Sequence, residues 1–357
     1  PQKGGELLPR TTIKMIADKL GVSVSTVNRA LINKGRISEE TKRKILKTAE
    51  EMGYRPNVQA KALSSKDTLR IAVICPRDFY FKTVIEGMES YRKEHEEYRI
   101  KLLYKCDDFQ SVADQLSALQ ECEHDEVQGI LISAVHPTQL NKQLRLLFKK
   151  GIPTITFNND ILGGPRIAYV GLNDRVAGAM AGELMSKYLF SGARVACMAT
   201  TSAAMGLRER QICFCDTVQK SGKNIEICGP FEYCDNFDLD DILEKVTHIL
   251  RTEHVNGIYA NNMFGTYAIS CALRKLGMKD KIVAIGHDVN AELDAFIRDG
   301  VLDATLFQNP FQQGYQALKV MVDYLYLKVP VFQPILYIRT LILMKSNLEE
   351  CDNRLFL

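Results

Sequence analysis

Ile13, Ile16, Ala17 and Leu20 recur at steps of three and four, which lays apolar side chains along one face of a helix. Gly21 ends that run. Ser23 is placed to cap a second helix whose apolar positions are Val27, Ala30 and Leu31. A third begins after Ser38, with Glu39 and Glu40 at its positive end and Ile45, Leu46, Ala49 and Met52 as its inner face. Gly53 suits a left-handed cap, and Tyr54-Arg55-Pro56-Asn57 break the period. The pattern predicts three short helices over 11–53 with a tight turn between the first two, a helix-turn-helix.

From Leu69 the period shortens. LRIAVIC, GILIS, TITFN, RVACMAT, NGIYA and KIVAIGHD are apolar runs of strand length, and they alternate with helical stretches such as VIEGMESYRKEHE, LNKQLRLLFKK and YAISCALRKLG. Strand–helix alternation at this interval predicts parallel sheets covered by helices on both faces. There are too many units for one modest sheet, so two doubly wound lobes are expected, with ligands outside the carboxyl ends of the strands. The predicted class is therefore α plus α/β.

Charge sharpens the division. The chain of 357 residues has a net charge of only +3, yet residues 1–66 hold 14 Lys and Arg against 6 Asp and Glu, and the rest is net −5. A basic head on a mildly acidic body predicts that the head meets a polyanion. The ten cysteines form no C-x-x-C, so they fit a reducing cytoplasm better than a disulfide framework or a metal site. No apolar run approaches the ~18 residues of a membrane span. The opening PQKGGELLPR lacks Met and an apolar core, and reads as a trimmed or disordered end rather than a signal peptide.

Within the head, the short residues Val24, Ser25 and Thr26 open the second helix, where they would let its backbone approach the floor of a major groove. Arg29, one turn on, can reach a base edge or a phosphate. The competing reading, a generic three-helix bundle, would place long Glu and Lys on that face.

The string TIKMIADKLGVSVSTVNRAL…GRISEETKRKILKTAEEMGYRPNVQAKAL, about residues 11–64, closely resembles the head of LacI/GalR-type transcriptional regulators. Residues 69–345 resemble, more weakly, the periplasmic sugar-binding-protein fold that such regulators use for effectors. The resemblance implies a homodimer on a near-palindromic operator in double-stranded DNA, acting as a repressor under control of a small sugar or polyol, with no cofactor. It implies phosphate contacts at Thr12 and Ser23, base reading at Val24, Ser25 and Arg29, and groove or backbone contacts from Asn33 and Arg36 in the following loop. Thr26, Asn28, Tyr54 and Lys61 complete the implied DNA surface, although Asn28 departs from the small residue common at its position. Asn57 to Leu63 match the hinge helix, with Ala60 close to the minor groove and Leu63 as the wedge between bases, an insertion that bends DNA onto more protein surface.

For the effector, Tyr80-Phe81 with Val84 and Gly87 resemble the F-W-x-x-V-x-x-G pattern of sugar-binding proteins, whose aromatic face stacks on a pyranose or cyclitol. Arg210 and Phe214 resemble R-x-x-G-F, with Cys213 in place of Gly. Asn261 and Asp288 follow strands, and Gln308 precedes Asn309-Pro310 at an expected lobe crossover. Asn159 and Asp160, after TITF, are weaker candidates. Amides and a carboxylate at successive strand ends suit vicinal hydroxyls, which both give and accept.

The expected map is 1–10 as an unstructured end, 11–56 as the DNA-binding head and 57–67 as hinge and linker. A two-lobed effector and dimerisation body follows over 68–345, with lobe 1 over about 68–172 and 310–333 and lobe 2 over about 173–309 and 334–345. The tail, 346–357, has no heptad repeat, which favours a dimer over a zipper tetramer. Two other readings are a transport-type sugar-binding protein and an enzyme on an α/β scaffold. The first would need a signal peptide or lipid anchor. The second lacks a G-x-G-x-x-G after a strand, a P-loop, G-x-S-x-G and H-E-x-x-H. His287 beside Asp288 is a lone neighbour pair.

Overall fold

The computed structural model describes residues 11–31, 37–52, 54, 68–105, 111–234 and 238–351. Asn33, Arg36, Asn57, Ala60, Lys61 and Leu63, and with them the expected hinge helix, lie outside the described residues.

The head is three helices, α1 (Ile13–Leu20), α2 (Val24–Leu31) and α3 (Glu39–Glu51). Ile16, Ala17, Val27, Ala30, Ile45 and Ala49 meet in one small core, with Leu20, Met52 and Tyr54 packed around it. The α1–α2 turn follows from its residues. Gly21 takes a left-handed φ of 64° and ends α1, and Ser23 Oγ accepts from Thr26 N–H at 3.0 Å to start α2.

Lobe 1 opens with β1 (Leu69–Ile74), α4 (Phe79–Glu94), β2 (Ile100–Lys105), α5 (Val112–His124), β3 (Gly129–Ile132), α6 (Asn141–Lys149), β4 (Thr154–Phe157) and β5 (Arg166–Gly171). The chain then crosses to lobe 2. That lobe holds α7 (Asp174–Tyr188), β6 (Arg194–Thr200), α8 (Met205–Gln219), β7 (Glu226–Tyr233) and α9 (Leu239–Thr252), then β8 (Gly257–Ala260), α10 (Met263–Leu276), β9 (Val283–His287), α11 (Ala291–Arg298) and β10 (Ala304–Phe307). It returns through Gln308-Asn309 to α12 (Pro310–Leu325) and β11 (Ile335–Tyr337) of lobe 1, and crosses a third time to β12 (Leu341–Leu343). The sheet orders are β11-β5-β4-β3-β1-β2 and β12-β10-β9-β8-β6-β7. Every pairing is parallel except that of β12 with β10.

One boundary moves. The expected switch to lobe 2 at 333/334 falls instead between Tyr337 and Leu341, because Ile335, Leu336 and Tyr337 pair in parallel with Tyr169, Val170 and Gly171. Those three residues carry partly exposed side chains on an edge strand, so the sequence gives them no buried-strand signature.

Within lobe 1, α4 and α12 touch backbone to backbone. A Cβ on Gly87 would lie 1.9 Å from Phe311 O, and one on Gly314 would lie 1.8 Å from Val84 O. Only glycine at both positions permits the approach.

Candidate DNA-reading helix and effector cleft

On α2 the buried positions are Val27 and Ala30, which turns Val24, Ser25, Asn28 and Arg29 outward together. Val24 is 48% exposed, an apolar side chain held in solvent on an otherwise polar face. Arg29 Nε donates to Ser25 O at 3.3 Å, which lays the guanidinium back along the start of the helix. Ser23 is exposed, Thr26 is half-buried behind it, and their hydroxyls are 2.8 Å apart. Thr12 caps α1 by accepting from Met15 N–H at 3.3 Å. Tyr54 is half-buried against the head core.

Between the lobes lies a cleft of about 470 Å³. Lobe 1 contributes Asp78, Tyr80, Phe81, His136, Asn158 and Asn159, and lobe 2 contributes Ser202, Arg210, Cys234, Asn262, Asp288 and Gln308. Most of these residues follow the carboxyl end of a strand, because in a parallel sheet all such ends face one way.

Its floor is a chain of buried polar groups. Arg210 donates from Nε to Asp174 Oδ1 at 2.6 Å, from Nη1 to Asn261 O at 3.1 Å and from Nη2 to Gln308 Oε1 at 2.7 Å. Gln308 Nε2 in turn donates to both oxygens of Asp288. Asp288 itself sits at a left-handed φ of 68°. Its N–H donates to Leu306 O at 3.0 Å, and its carbonyl accepts from the Thr305 hydroxyl at 2.6 Å. Burial pushes the Asp288 carboxyl up to about 6, while Arg210 and the Gln308 bond pull it down and Asp78 adds a further upward push. Burial also works against the charge of Arg210, yet Asp174 and Asp288 beside it hold its pKa above the ordinary value.

Tyr80 closes the lobe 1 side. Its hydroxyl oxygen accepts from Asn158 Nδ2 and from Gln313 Nε2, each at 2.9 Å. Gln313 Nε2 also donates to Gln308 O at 3.0 Å, which ties the second crossover to the aromatic wall. Burial, then Asp288, hold the Tyr80 phenol well above its ordinary pKa. Phe81 stands edge-on to Tyr80, with ring centroids 5.2 Å apart, and is 6% exposed.

The structure thus brings Tyr80, Phe81, Asn159, Arg210, Asp288 and Gln308 around one cavity. It does not bring Asp160 there. That carboxylate accepts from the Thr156 hydroxyl at 2.5 Å and pairs with Arg166 Nε at 2.6 Å, so it is spent inside lobe 1. Asn261 also differs from expectation. Its Nδ2 donates to Leu207 O at 3.0 Å and its main-chain carbonyl holds Arg210, while the next residue, Asn262, lines the cavity. Asp174, Asp78 and His136 carry no signal in the sequence that marks them for the site. Asp174 and Asp78 each look like ordinary acidic residues at a helix start, and nothing in the sequence pairs Asp174 with an arginine 36 positions away. The His287–Asp288 pair diverges. His287 is fully buried, its Nε2 is 2.9 Å from Tyr259 OH, and burial with Arg210 holds its pKa well below the ordinary value.

Residues 12–57 match the model of the lacI family of bacterial regulatory proteins, and residues 72–328 match that of a periplasmic binding protein domain. The body belongs to the periplasmic binding protein domain family, and the head is a lacI-family domain. Similar curated proteins include the ribose operon repressor of Lactococcus lactis, 24% identical over 323 residues, covering 87% of this chain and 90% of that protein. The transcriptional regulator DegA of Bacillus subtilis is 27% identical over 285 residues, covering 78% and 82%. The transcriptional repressor PurR of Vibrio vulnificus is 24% identical over 322 residues, covering 87% and 91%. Among solved structures, GanP, a glucose-galactose binding protein from Geobacillus stearothermophilus, superposes with a TM-score of 0.70 at 23% identity, covering 79% of this chain and 99% of that one. A solute binding protein from Agrobacterium vitis with bound D-fucose gives 0.72 at 20% identity, covering 80% and 98%. The chain is a LacI-type transcriptional regulator with a two-lobed, periplasmic-binding-protein body.

Proposed function

We propose that this regulator represses transcription as a homodimer on a near-palindromic operator and changes its grip when a small sugar or polyol enters the cleft. The observation that carries the reading is the position of Gln308. It is a crossover residue between the lobes, yet its side chain touches Arg210 and Asp288 and its carbonyl accepts from Gln313, a partner of Tyr80. A ligand contacting Arg210 or Asp288 therefore bears on the segment that sets the angle between lobes. Differential binding to two lobe angles is the physical requirement for control of a distant head.

The exposed face of α2 supports the other half of the reading. Val24 and Ser25 suit thymine methyl groups and base edges, and Arg29 suits a guanine or a phosphate. Thr12, capping with its oxygen, keeps a hydroxyl hydrogen to give to a phosphate, and Ser23 keeps its own when Thr26 donates across their 2.8 Å contact.

Gel shift on duplexes selected from a random pool, followed by titration with pentoses, hexoses and polyols, tests the whole reading. A selected palindromic site and a sugar that shifts its binding are the expected results. Failure to enrich any sequence would remove the DNA half, and enrichment with no response to any sugar would remove the effector half.

A further inference from the structure

His136 lies on the loop that follows β3 and lines the lobe 1 side of the cavity, half-buried. That loop is pinned from three directions. Gln115 of α5, fully buried, donates from Nε2 to Ser133 O at 2.8 Å and accepts at Oε1 from Val135 N–H at 3.1 Å, so both ends of its amide are spent on the backbone. Ala134 N–H donates to Asn159 O at 3.3 Å, and Leu162 N–H donates to Pro137 O at 2.7 Å. The imidazole is held as well. Its Nδ1 accepts from Thr138 N–H at 3.2 Å and from Gln139 N–H at 3.3 Å. A main-chain N–H can only donate, so Nδ1 keeps its lone pair and the hydrogen of the neutral ring sits on Nε2.

We infer that His136 is a specificity-determining residue of the cleft: it gives one hydrogen bond from Nε2–H to an oxygen of the effector, and so demands a hydroxyl, ether or carbonyl oxygen where the ligand meets that wall. This rests on the sugar-effector reading above and adds the residue that reads one position of the sugar. The imidazole has spent its acceptor on the loop, so toward the cavity it can only give. The Asp288 carboxylate of lobe 2, when ionised, can only accept. A hydroxyl satisfies either partner, because it both gives and accepts. A C–H or a protonated amine facing His136 has no lone pair to offer. Once the ligand has displaced water, it would leave Nε2–H unpaired, and such losses separate analogues sharply. The braces on the loop matter because a donor already fixed in place loses little freedom on binding.

Two substitutions separate reading from bracing. In His136→Asn the amide oxygen takes the place of Nδ1, which keeps an acceptor for Thr138 and Gln139 and removes the donor. In His136→Gln the amide nitrogen reaches the place of Nε2, which keeps the donor and removes the acceptor.

The test uses the full-length protein and calorimetry, first with ribose, arabinose, xylose, glucose, galactose and fructose. The tightest binder is then replaced by its monodeoxy and monoamino analogues, one position at a time, and melting curves establish that each variant is folded. His136→Asn should bind the parent sugar roughly ten-fold more weakly than wild type does. In that variant the penalty for removing oxygen should vanish at one position and stand at the others. His136→Gln should restore the penalty at that position. Penalties unchanged everywhere in a folded His136→Asn would overturn the inference and leave the sugar reading intact. A uniform weakening of parent and analogues in both variants would mark a loop brace only, and would overturn it too. The two variants are independent, since a folded His136→Gln that loses the penalty counts against the inference without reference to Asn. A wild type that binds none of the six sugars would overturn the sugar reading itself, and the inference with it.

Discussion

Gln308 Nε2 lies 2.8 Å from each carboxylate oxygen of Asp288, while Gln308 Oε1 accepts from Arg210 Nη2. An arginine can only donate and an ionised carboxylate can only accept, so the glutamine amide has one orientation between them. The three side chains form a relay on the lobe 2 side of the second crossover.

Asp288→Asn should cost effector binding and help the empty protein. Burial raises the folded pKa of Asp288 from the ordinary 3.8 to about 6, so its native state binds protons more readily than the unfolded chain does. The sign follows: any stability from this group is present below the unfolded value and is lost as pH rises through about 6. At pH 7 the empty wild type therefore carries a penalty of up to ~3 kcal/mol that Asn removes. Melting curves should show Asp288→Asn at or above wild type at pH 7 and below it near pH 4. Effector affinity in wild type should fall on acidification through about 6 as the acceptor is protonated, and a pH-independent affinity would remove Asp288 from the site.

Asp174→Asn should destabilise lobe 2 by roughly 3 kcal/mol or more, because it leaves the buried guanidinium of Arg210 without its closest counter-charge. Denaturant midpoints for Asp174→Asn, Arg210→Met and the double variant would show strong coupling. Additive losses would mean that the 2.6 Å contact carries little energy.

Arg29→Ala should leave folding within about 0.5 kcal/mol of wild type, since the side chain is exposed. On the selected operator it should cost ~1–3 kcal/mol, with a much smaller loss on random DNA. Equal losses on both would make Arg29 a phosphate contact only.

Gly314→Ala should lower stability by at least about 2 kcal/mol, because the new methyl meets the Val84 carbonyl of α4. Circular dichroism should retain helix while the melting midpoint drops. An unchanged midpoint would show that α4 and α12 can part without cost.

Periodicity disclosed the three helices of the head and the alternation of the body, since both are set by local burial. It also pointed to Asp288, because strand ends can be read from where apolar runs stop, whereas Arg210, within α8, and Gln308, before Asn309-Pro310, came from family patterns. What it could not show was direction and pairing. Asp160 follows a strand just as Asn159 does, but Arg166 claims its carboxylate. Asn261 and Asn262 are indistinguishable in sequence, but past the end of β8 the Asn261 amide turns to Leu207 O while Asn262 caps α10 at the cavity wall. Asp174 is legible only with Arg210, and that pairing is made by the packing of α7 on α8.

The interlocked glycines of lobe 1 have a mechanical result. With α12 pressed onto α4 from Phe311 and Gly314, the chain from Pro310 onward has no room to turn. At this crossing, any rotation between the lobes would fall to Gln308 and Asn309, the latter at a left-handed φ of 49° with its side chain capping α12. Gln308 faces Arg210 and Asp288 directly. The pivot thus lies in the lining of the cleft, and a molecule that settled there would apply its torque at the axle, with no intervening lever.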